Sequence, residues 1–395
     1  MNSLPMMKHV IRLSLSLGLG LMIAVAVNRP AQKSSSYIAA KIDRKTVGKP
    51  FATKVISVGA ESDLAFLQFL SAETGIAGDR YGHLYVTADG GETWATRDIL
   101  RDDPRKGVYF PSIVFRSTNS GFAIAQEYNK PGEDVCLRQG SLLLTKDQGK
   151  SWQTLFTKKC VELVKVALQG ESDGWIIGSE YVSNGSAYQS RPLILHTADN
   201  GESWNDVSAG AIQLLKDKLG RMESPAGIVA TGNGAATMVT ENGYVMDTSD
   251  GGLQWSQPRS LDLRSLLPGL KLTENGSVLA VGGLDGSHGT AGMLALRNDR
   301  DEWKGSWFRD LYLKDAIVVS TAETFVCGSL LPEDKDSLMR GRRDSVVLYS
   351  SNAGRDWQPI FTSSEISSIN SLSMVGPRTI WAAASRGQLI KITIS

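Results

Sequence analysis

An eight-residue motif recurs along the chain and constrains its fold more than any other feature. The pattern is Thr/Ser-x-Asp-x-Gly-x-x-Trp, with four complete copies and a fifth that carries Asn in place of Asp. The Asp and Trp positions are Asp89 and Trp94, Asp147 and Trp152, Asp199 and Trp204, Asp250 and Trp255, and Asn352 and Trp357. Successive copies lie about 52 residues apart and the last gap is twice that length, which predicts a hidden copy. We expect it at 298–302, with Trp307 as its tryptophan and Trp303 as an extra aromatic.

Each motif lies between two short apolar runs, such as 142–145 before the second copy and 152–156 after it. Two further runs precede each motif, which makes four short strands per repeat with no helical period. The 40 glycines lack collagen periodicity and fit a chain with many tight turns. Four antiparallel strands per repeat, arranged in a ring, predict an all-β fold built from β-propeller blades.

The motif residues have structural explanations at the turn between the third and fourth strands. The Asp carboxylate can accept hydrogen bonds from turn N–H groups, Gly can adopt a positive φ, and Trp can bury its ring against the neighbouring sheet. Identical carboxylates spaced around a ring do not converge on one centre. We therefore expect no catalytic residues among them.

Six motif positions imply at least six blades. Three C-terminal runs, 368–374, 379–384 and 389–394, lack a fourth strand, while the run 54–58 near the start of the repeats is surplus. The sequence therefore predicts a seventh blade, closed by this N-terminal strand so that no long sheet edge stays free. Residues 51–395 would then form a single seven-bladed propeller.

The N-terminus resembles a targeting segment. Lys8, His9 and Arg12 precede the apolar run 13–27, which has the length of a signal peptide core, and the run is followed by a polar linker at 28–50. The run is either a cleaved signal peptide or an uncleaved anchor. In both cases we expect the propeller to be exported and to lie outside the cytoplasm.

Composition and motif searches exclude several functions. The formal net charge is +1, from 42 basic and 41 acidic residues, which argues against a nucleic-acid partner. Three Cys and four His are too few and too scattered for a zinc site. Nucleophile-elbow, zinc-protease and phosphate-loop motifs are all missing from the sequence. We expect no cofactor and no metal.

The motifs resemble the Asp-box or BNR repeats of sialidase-like propellers. A single exported propeller with blades of about 50 residues is similar to the photosystem II assembly and stability factors. That resemblance implies a non-enzymatic scaffold, monomeric outside its complex, that binds a subunit of a membrane-protein complex. It also implies a location in the periplasm, in the thylakoid lumen or at the extracytoplasmic membrane face. The alternative is a carbohydrate-binding or sialidase-like propeller. Sialidases need a Phe/Tyr-Arg-Ile-Pro string before the first motif, whereas the nearest string, 108–111, follows it and lacks Arg. Glycan binding remains an alternative, because the expected loops contain three aromatic residues, Tyr128, Tyr181 and Tyr188.

Long loops are expected to gather on one side of the ring. The segments 126–140, 179–191, 284–291 and 329–344 join second and third strands, and they should share a face with the blade linkers 97–110 and 205–225. Variable loops on a constant scaffold usually carry binding. The candidate partner-binding residues are Arg97, Arg101, Arg105, Tyr109, Arg138, Arg191, Arg340, Arg342 and Arg343.

Cys136 and Cys160 are candidates for a disulfide in an exported protein. The second motif turn predicts a hairpin in which the numbers of facing residues sum to about 298, and this pair sums to within two of that value. Cross-strand separations suit a disulfide. Cys327 lies in an apolar run and is expected to be a buried thiol.

Overall fold

The computed structural model describes residues 36–43, 51–100, 107–128, 138–183, 188–261, 269–273, 276–286, 289–298, 300–332 and 343–394. Across these ranges the chain forms 30 strands in seven sheets, together with one helix. Each blade consists of four consecutive antiparallel strands, apart from the closing blade, and two of the sheets carry a fifth, parallel strand at their outer edge. The prediction of a seven-bladed β-propeller is confirmed.

The elements follow chain order. Three strands precede the first complete blade: β1 (Ser36–Ala39), β2 (Lys41–Ile42) and β3 (Phe51–Ser57). Blade 1 contains β4 (Leu64–Phe69), β5 (Gly75–Asp79), β6 (His83–Thr87) and β7 (Ala95–Asp98). Blade 2 contains β8 (Val108–Phe115), β9 (Gly121–Tyr128), β10 (Arg138–Thr145) and β11 (Gln153–Lys159). Blade 3 contains β12 (Val161–Gln169), β13 (Asp173–Ser183), β14 (Tyr188–Thr197) and β15 (Asn205–Asp206), and it is followed by α1 (Ser208–Leu219).

The second half of the chain repeats the arrangement. Blade 4 contains β16 (Pro225–Gly232), β17 (Ala235–Thr240), β18 (Tyr244–Thr248) and β19 (Arg259–Ser260). Blade 5 contains β20 (Gly269–Leu272), β21 (Val278–Gly286), β22 (Gly289–Arg297) and β23 (Trp303–Arg309). Blade 6 contains β24 (Leu311–Val318), β25 (Thr324–Leu330), β26 (Asp344–Ser350) and β27 (Asp356–Ser363). Blade 7 contains β28 (Ile369–Val375), β29 (Thr379–Ala384) and β30 (Gln388–Ile394).

The ring closes between the two ends of the repeat region. Strand β3 pairs antiparallel with β30, from Phe51 opposite Ile394 to Ser57 opposite Gln388. The N-terminal strand therefore supplies the fourth strand of blade 7, as the surplus run predicted. It begins three residues earlier than the run 54–58.

Part of the segment expected to be a polar linker forms edge strands instead. β1 runs parallel to β23 on the outer edge of blade 5, and β2 runs parallel to β27 on the outer edge of blade 6. The Tyr37 hydroxyl also donates a hydrogen bond of 2.9 Å to the Leu261 carbonyl. Backbone pairing of this kind needs no apolar period, so the sequence pattern did not reveal it.

The core consists of seven hydrophobic clusters, each between neighbouring blades. Six of them contain, or pack against, one tryptophan that directly follows a motif turn. Between blades 4 and 5 that residue is Trp303, which is 4% exposed, whereas Trp307 is 40% exposed. Asn298 takes the place of the motif Asp, because it accepts hydrogen bonds from the Arg300 and Glu302 N–H groups. The expectation that Trp307 completes the sixth motif was therefore wrong.

Helix α1 was also not predicted. It occupies the linker between blades 3 and 4, buries Ala211 and Leu215 in the cluster between those blades, and ends at Gly220 in the left-handed conformation. Within the described ranges, no helix has the length and apolar character needed to span a membrane. The proposed targeting run 13–27 lies outside those ranges.

Candidate functional site

The motif turns share one hydrogen-bond pattern. In the first, the Asp89 carboxylate accepts hydrogen bonds from the Thr93 hydroxyl at 2.6 Å and the Thr93 N–H at 2.9 Å. The Gly91 N–H, at a φ of 89°, donates to the Thr87 hydroxyl at 2.9 Å. The Thr93 hydroxyl, followed by the Thr93 N–H and the Thr87 hydroxyl, favours the charged form of Asp89 and lowers its pKa to about 2.

The other copies repeat this arrangement. The Ser151 and Ser203 side chains, as the largest cause, hold the pKa values of Asp147 and Asp199 at about 2. At Asp250, Gln254 contributes its backbone N–H, and the pKa is again lowered. Asn352 accepts the corresponding N–H of Asp356 at 3.0 Å. Each carboxylate thus serves its own turn, and the turns belong to different blades.

By topology, the motif turns and the connections between second and third strands emerge on opposite sides of the ring. Turns between first and second strands, and the motif turns between third and fourth strands, emerge on one side. Connections between second and third strands, such as 80–82 and 241–243, emerge on the other with the blade linkers. We call this second side the loop face. Arg101, Arg105, Arg340 and Arg342 lie outside the described residues.

Two tyrosines of blade 2 stack on the loop face. The rings of Tyr109, on β8, and Tyr128, on β9, are nearly parallel at 7°, with centroids 5.5 Å apart. Their hydroxyls are 3.1 Å apart, and burial raises the pKa of Tyr109. The strand register explains the meeting, because Tyr109 pairs with Gln126, two residues before Tyr128. Tyr128 is 46% exposed, so the stack offers an aromatic surface to solvent.

Arg138 joins this stack to blade 3. Its guanidinium lies over the ring of Tyr128 at 5.5 Å and over the ring of Tyr181 at 4.7 Å. It also forms an ion pair with Glu162 at the start of β12 and donates to the Tyr181 hydroxyl. Cation–π contacts and a charge-assisted hydrogen bond therefore fix the arginine in place.

Glu162 is the common acceptor of the group. It accepts a hydrogen bond from the Tyr181 hydroxyl at 2.9 Å, and the Tyr128 hydroxyl lies 3.5 Å away. Burial, followed by the bond to Glu162, raises the pKa of Tyr181 to about 12. We call Tyr109, Tyr128, Arg138, Glu162 and Tyr181 the tyrosine cluster. Its arginine charge is balanced by its own glutamate, so it presents aromatic rings and hydroxyls rather than a free positive charge.

The other candidate arginines within the described ranges, Arg97, Arg191 and Arg343, lie on different blades. Arg191, on β14, pairs with Glu180 on β13, with 2.7 Å between Nε and the carboxylate. Arg97 donates to the Gln148 carbonyl in the second motif turn, so its head group lies on the side opposite the loop face. Arg343 lies just before β26, in blade 6. The arginines therefore do not form one basic patch among the described residues.

Sequence reasoning missed Glu162, the residue that holds the cluster together. The available signal was a single acid in the otherwise apolar start of β12. Cys136 lies outside the described residues, so its pairing stays a prediction. In the described part of the hairpin, Gln139 faces Lys159, and the Cys160 N–H donates to the Arg138 carbonyl at 2.8 Å. Cys327 is buried, and burial raises its pKa.

Comparison with known proteins adds a second line of evidence. The sequence model of a family described as photosynthesis system II assembly factor YCF48 matches residues 183–293. The photosystem II assembly lipoprotein Ycf48 of Synechococcus sp. (strain CC9902) is 27% identical over 150 residues, which is 37% of this chain and 39% of that protein. The sequence similarity therefore spans well under half of each chain.

Solved structures match over most of the chain. A structure described as YCF48 bound to D1 peptide covers 93% of this chain and 99% of its own, with 15% identity and a TM-score of 0.57. YCF48 from Cyanidioschyzon merolae covers 87% and 99%, with 16% identity and a TM-score of 0.58. This chain is thus similar to YCF48 proteins, in sequence over part of its length and in fold over most of it.

The resemblance to photosystem II assembly factors is thus confirmed, and the matched region can be placed in the fold. Residues 183–293 run from the end of β13 through α1 and blade 4 into β22. All five members of the tyrosine cluster lie before this region in the sequence. The YCF48-like signal and the cluster are therefore independent observations. The WD40 propeller domain of Doa1, at 10% identity and a TM-score of 0.54, shows that the ring itself is shared more widely.

Proposed function

We propose that this YCF48-like propeller is a protein-binding assembly factor for a membrane-protein complex and that its partner contacts the tyrosine cluster. The observation that carries the proposal is the convergence of three tyrosines and Arg138 on the loop face, around Glu162. Tyrosine and arginine are, with tryptophan, the side chains most enriched at the energetic centres of protein interfaces.

The chemistry of the cluster favours recognition by contact rather than by net charge. Arg138 is held between two rings and neutralised by Glu162, so it is already in place before a partner arrives. Rigid aromatic residues lose little conformational entropy on binding, and their hydroxyls can still form hydrogen bonds. The partner surface would supply apolar side chains and hydrogen-bonding groups that cover the Tyr128 ring.

The comparisons support a proposal for the nature of the partner. One related structure contains a D1 peptide, and one related protein is named a photosystem II assembly lipoprotein. We propose a photosystem II subunit as the partner, bound on the extracytoplasmic side of the membrane. We also propose that the protein has no catalytic activity, and the carbohydrate-binding alternative is not favoured.

Binding to the D1 peptide named in that structure tests the proposal. We would immobilise the full chain and compare it with the double variant Tyr128→Ala/Tyr181→Ala by biolayer interferometry. A tyrosine at an energetic centre contributes about 2 kcal/mol, so each loss should weaken binding roughly 30-fold. Leu253→Ala is the matched control, since Leu253 is 72% exposed in the fourth motif turn on the opposite side. Unchanged affinity of the double variant would remove the cluster from the binding site.

The proposed lack of catalytic activity has a separate test. Purified protein should not turn over a fluorogenic sialoside or a xyloglucan oligosaccharide. Turnover that a single carboxylate substitution abolishes would contradict it. A glycan array that retains the protein, with binding lost in Tyr128→Ala, would favour the carbohydrate reading instead.

A further inference from the structure

The gaps between neighbouring blades are not all filled in the same way. In blade 1, the ring of Phe69 at the end of the first strand lies over Gly75 at the start of the second, where a Cβ would be 2.8 Å from the ring. Phe115 and Gly121 repeat this arrangement in blade 2. Each phenylalanine also meets the motif tryptophan of its own blade edge-on, with 6.1 Å between ring centroids. An aromatic ring therefore fills the gap between each of these blades and the preceding one.

Blade 6 lacks that ring. The corresponding pair is Val318 and Thr324, which face each other in the same register between β24 and β25. Val318 is smaller than phenylalanine, and Thr324 has a side chain where blades 1 and 2 have none. Replacing a large side chain by a small one leaves space that the surrounding structure closes only in part. A cavity of about 370 Å³ lies at this position, between blades 5 and 6 on the side of the motif turns.

The deep part of this cavity is apolar. Leu279 and Leu294 of blade 5, which are 1% and 6% exposed, form its floor. The edge strand β1 forms its outer wall, because parallel pairing with β23 places Ile38 opposite Ser306. Ile38 is 43% exposed, so one apolar side chain of the wall is left without a covering group. A ligand with an apolar chain would cover it.

The charges at the mouth of the cavity have one sign. Lys304 and Arg355 both line it, and none of its described lining residues is acidic. Lys304 lies 3.6 Å from Glu302, which offsets part of its charge. Arg355, in the motif turn of blade 6, is exposed and forms no ion pair with a described residue. The hydroxyls of Ser320 and Thr321 add hydrogen-bond donors beside the two cations. The mouth therefore suits a head group with a negative charge.

We propose that this cavity binds a medium-chain fatty acid, with its acyl chain between blades 5 and 6 and its carboxylate at Arg355. The volume lies within the range of small-molecule sites, about 300–1,000 Å³. At roughly 30 Å³ for a group the size of a water molecule, it holds a chain of about ten to twelve such groups. The site lies on the side of the ring opposite the loop face, so it is independent of the tyrosine cluster and of any protein partner.

Isothermal titration calorimetry of the full chain with saturated fatty acids tests the size and charge of the site. Two more buried methylenes tighten binding roughly tenfold, so decanoate should bind more tightly than octanoate by that factor. Tetradecanoate should gain nothing over dodecanoate, because the cavity is then full. Decanol, which has the same chain without a charge, should bind roughly fivefold more weakly than decanoate. No saturable binding of decanoate, a steady gain up to tetradecanoate, or equal binding of decanol would overturn the proposal.

Two variants locate the site. Val318→Phe/Thr324→Gly gives blade 6 the pair found in blades 1 and 2, so decanoate binding should be lost without a fall in the unfolding temperature. Arg355→Gln should weaken decanoate binding roughly fivefold and leave decanol binding unchanged, and it decides the question if the double variant does not fold. Arg378→Gln, at an exposed arginine on the same side of blade 7, is the matched control. Undiminished decanoate binding by the folded double variant, or equal losses in Arg355→Gln and Arg378→Gln, would place the fatty acid elsewhere and overturn the proposal.

Discussion

The two tryptophans of β23 provide a direct test of the sixth motif. Trp303 is 4% exposed between blades 4 and 5, and Trp307 is 40% exposed four residues later on the same strand. Tryptophan can bury up to about 250 Å², so Trp303 buries roughly 240 Å² and Trp307 roughly 150 Å². At about 25 cal/mol per Å², these areas correspond to roughly 6 and 4 kcal/mol as upper limits.

Residual burial in the unfolded chain reduces both values by up to roughly 40%. Trp303→Ala also leaves a cavity, whereas water fills the space at Trp307→Ala, so we expect losses of about 4 and about 2 kcal/mol. For a domain of about 340 residues, the unfolding entropy converts these losses into shifts of the melting temperature of roughly 6 and 3 °C.

Differential scanning calorimetry of the two variants under identical conditions gives the comparison. Trp307→Ala also serves as the control for general effects of removing an indole from β23. A shift for Trp307→Ala equal to or larger than that for Trp303→Ala would show that Trp307, and not Trp303, is the tryptophan of the sixth motif.

Three further predictions follow from the ring, the motif turns and the cysteines. Deleting residues 28–43 should leave the ring closed, while deleting 28–57 removes β3, exposes the edge of β30 and should cause aggregation visible by size-exclusion chromatography. Because the pKa values of Asp89, Asp147 and Asp199 are lowered, their stabilisation is present above pH 3.8 and is lost as the pH falls towards 2. The drop in melting temperature between pH 4 and pH 2 should be smaller when all three are Asn, and an equal drop would contradict this. Thiol counting on the denatured, unreduced, exported protein should find one free thiol if Cys136 and Cys160 are bridged, and three would exclude the bridge.

The ring could be predicted from the sequence because the same motif recurs in most of the blades. Five tryptophan motifs fixed the blade period, and one surplus strand fixed the closure. The mean spacing between motifs was a poor guide to the sixth motif. Trp307 fits that spacing, but Trp303 is the tryptophan that is buried between the blades. The spacing inside the motif, five residues from Asp89 to Trp94, selects Trp303 when counted from Asn298. Local turn geometry constrains a residue more tightly than the average length of a repeat.

Other features depend on contacts that no periodicity encodes. The sequence indicates helix α1 only weakly, through Ala211 and Leu215, which lie four residues apart. The strand pattern on both sides of the helix made this spacing easy to overlook. The positions of the arginines could be guessed, but their neutralisation by Glu162 and Glu180 depends on which side chains the blades bring together. Recognition by a row of free arginines was therefore a reasonable sequence hypothesis that the geometry does not favour.

The pairing of β3 with β30 also determines when the ring can close during synthesis of the chain. Phe51 meets Ile394 across nearly the whole length of the propeller sequence, so one of the earliest strands to be synthesised must wait for the last. Contacts so distant in sequence form slowly, and until they form the edge of blade 7 is open to other chains. A protein proposed to assist the assembly of others is thus itself exposed to misassembly until the last strand of its propeller is made.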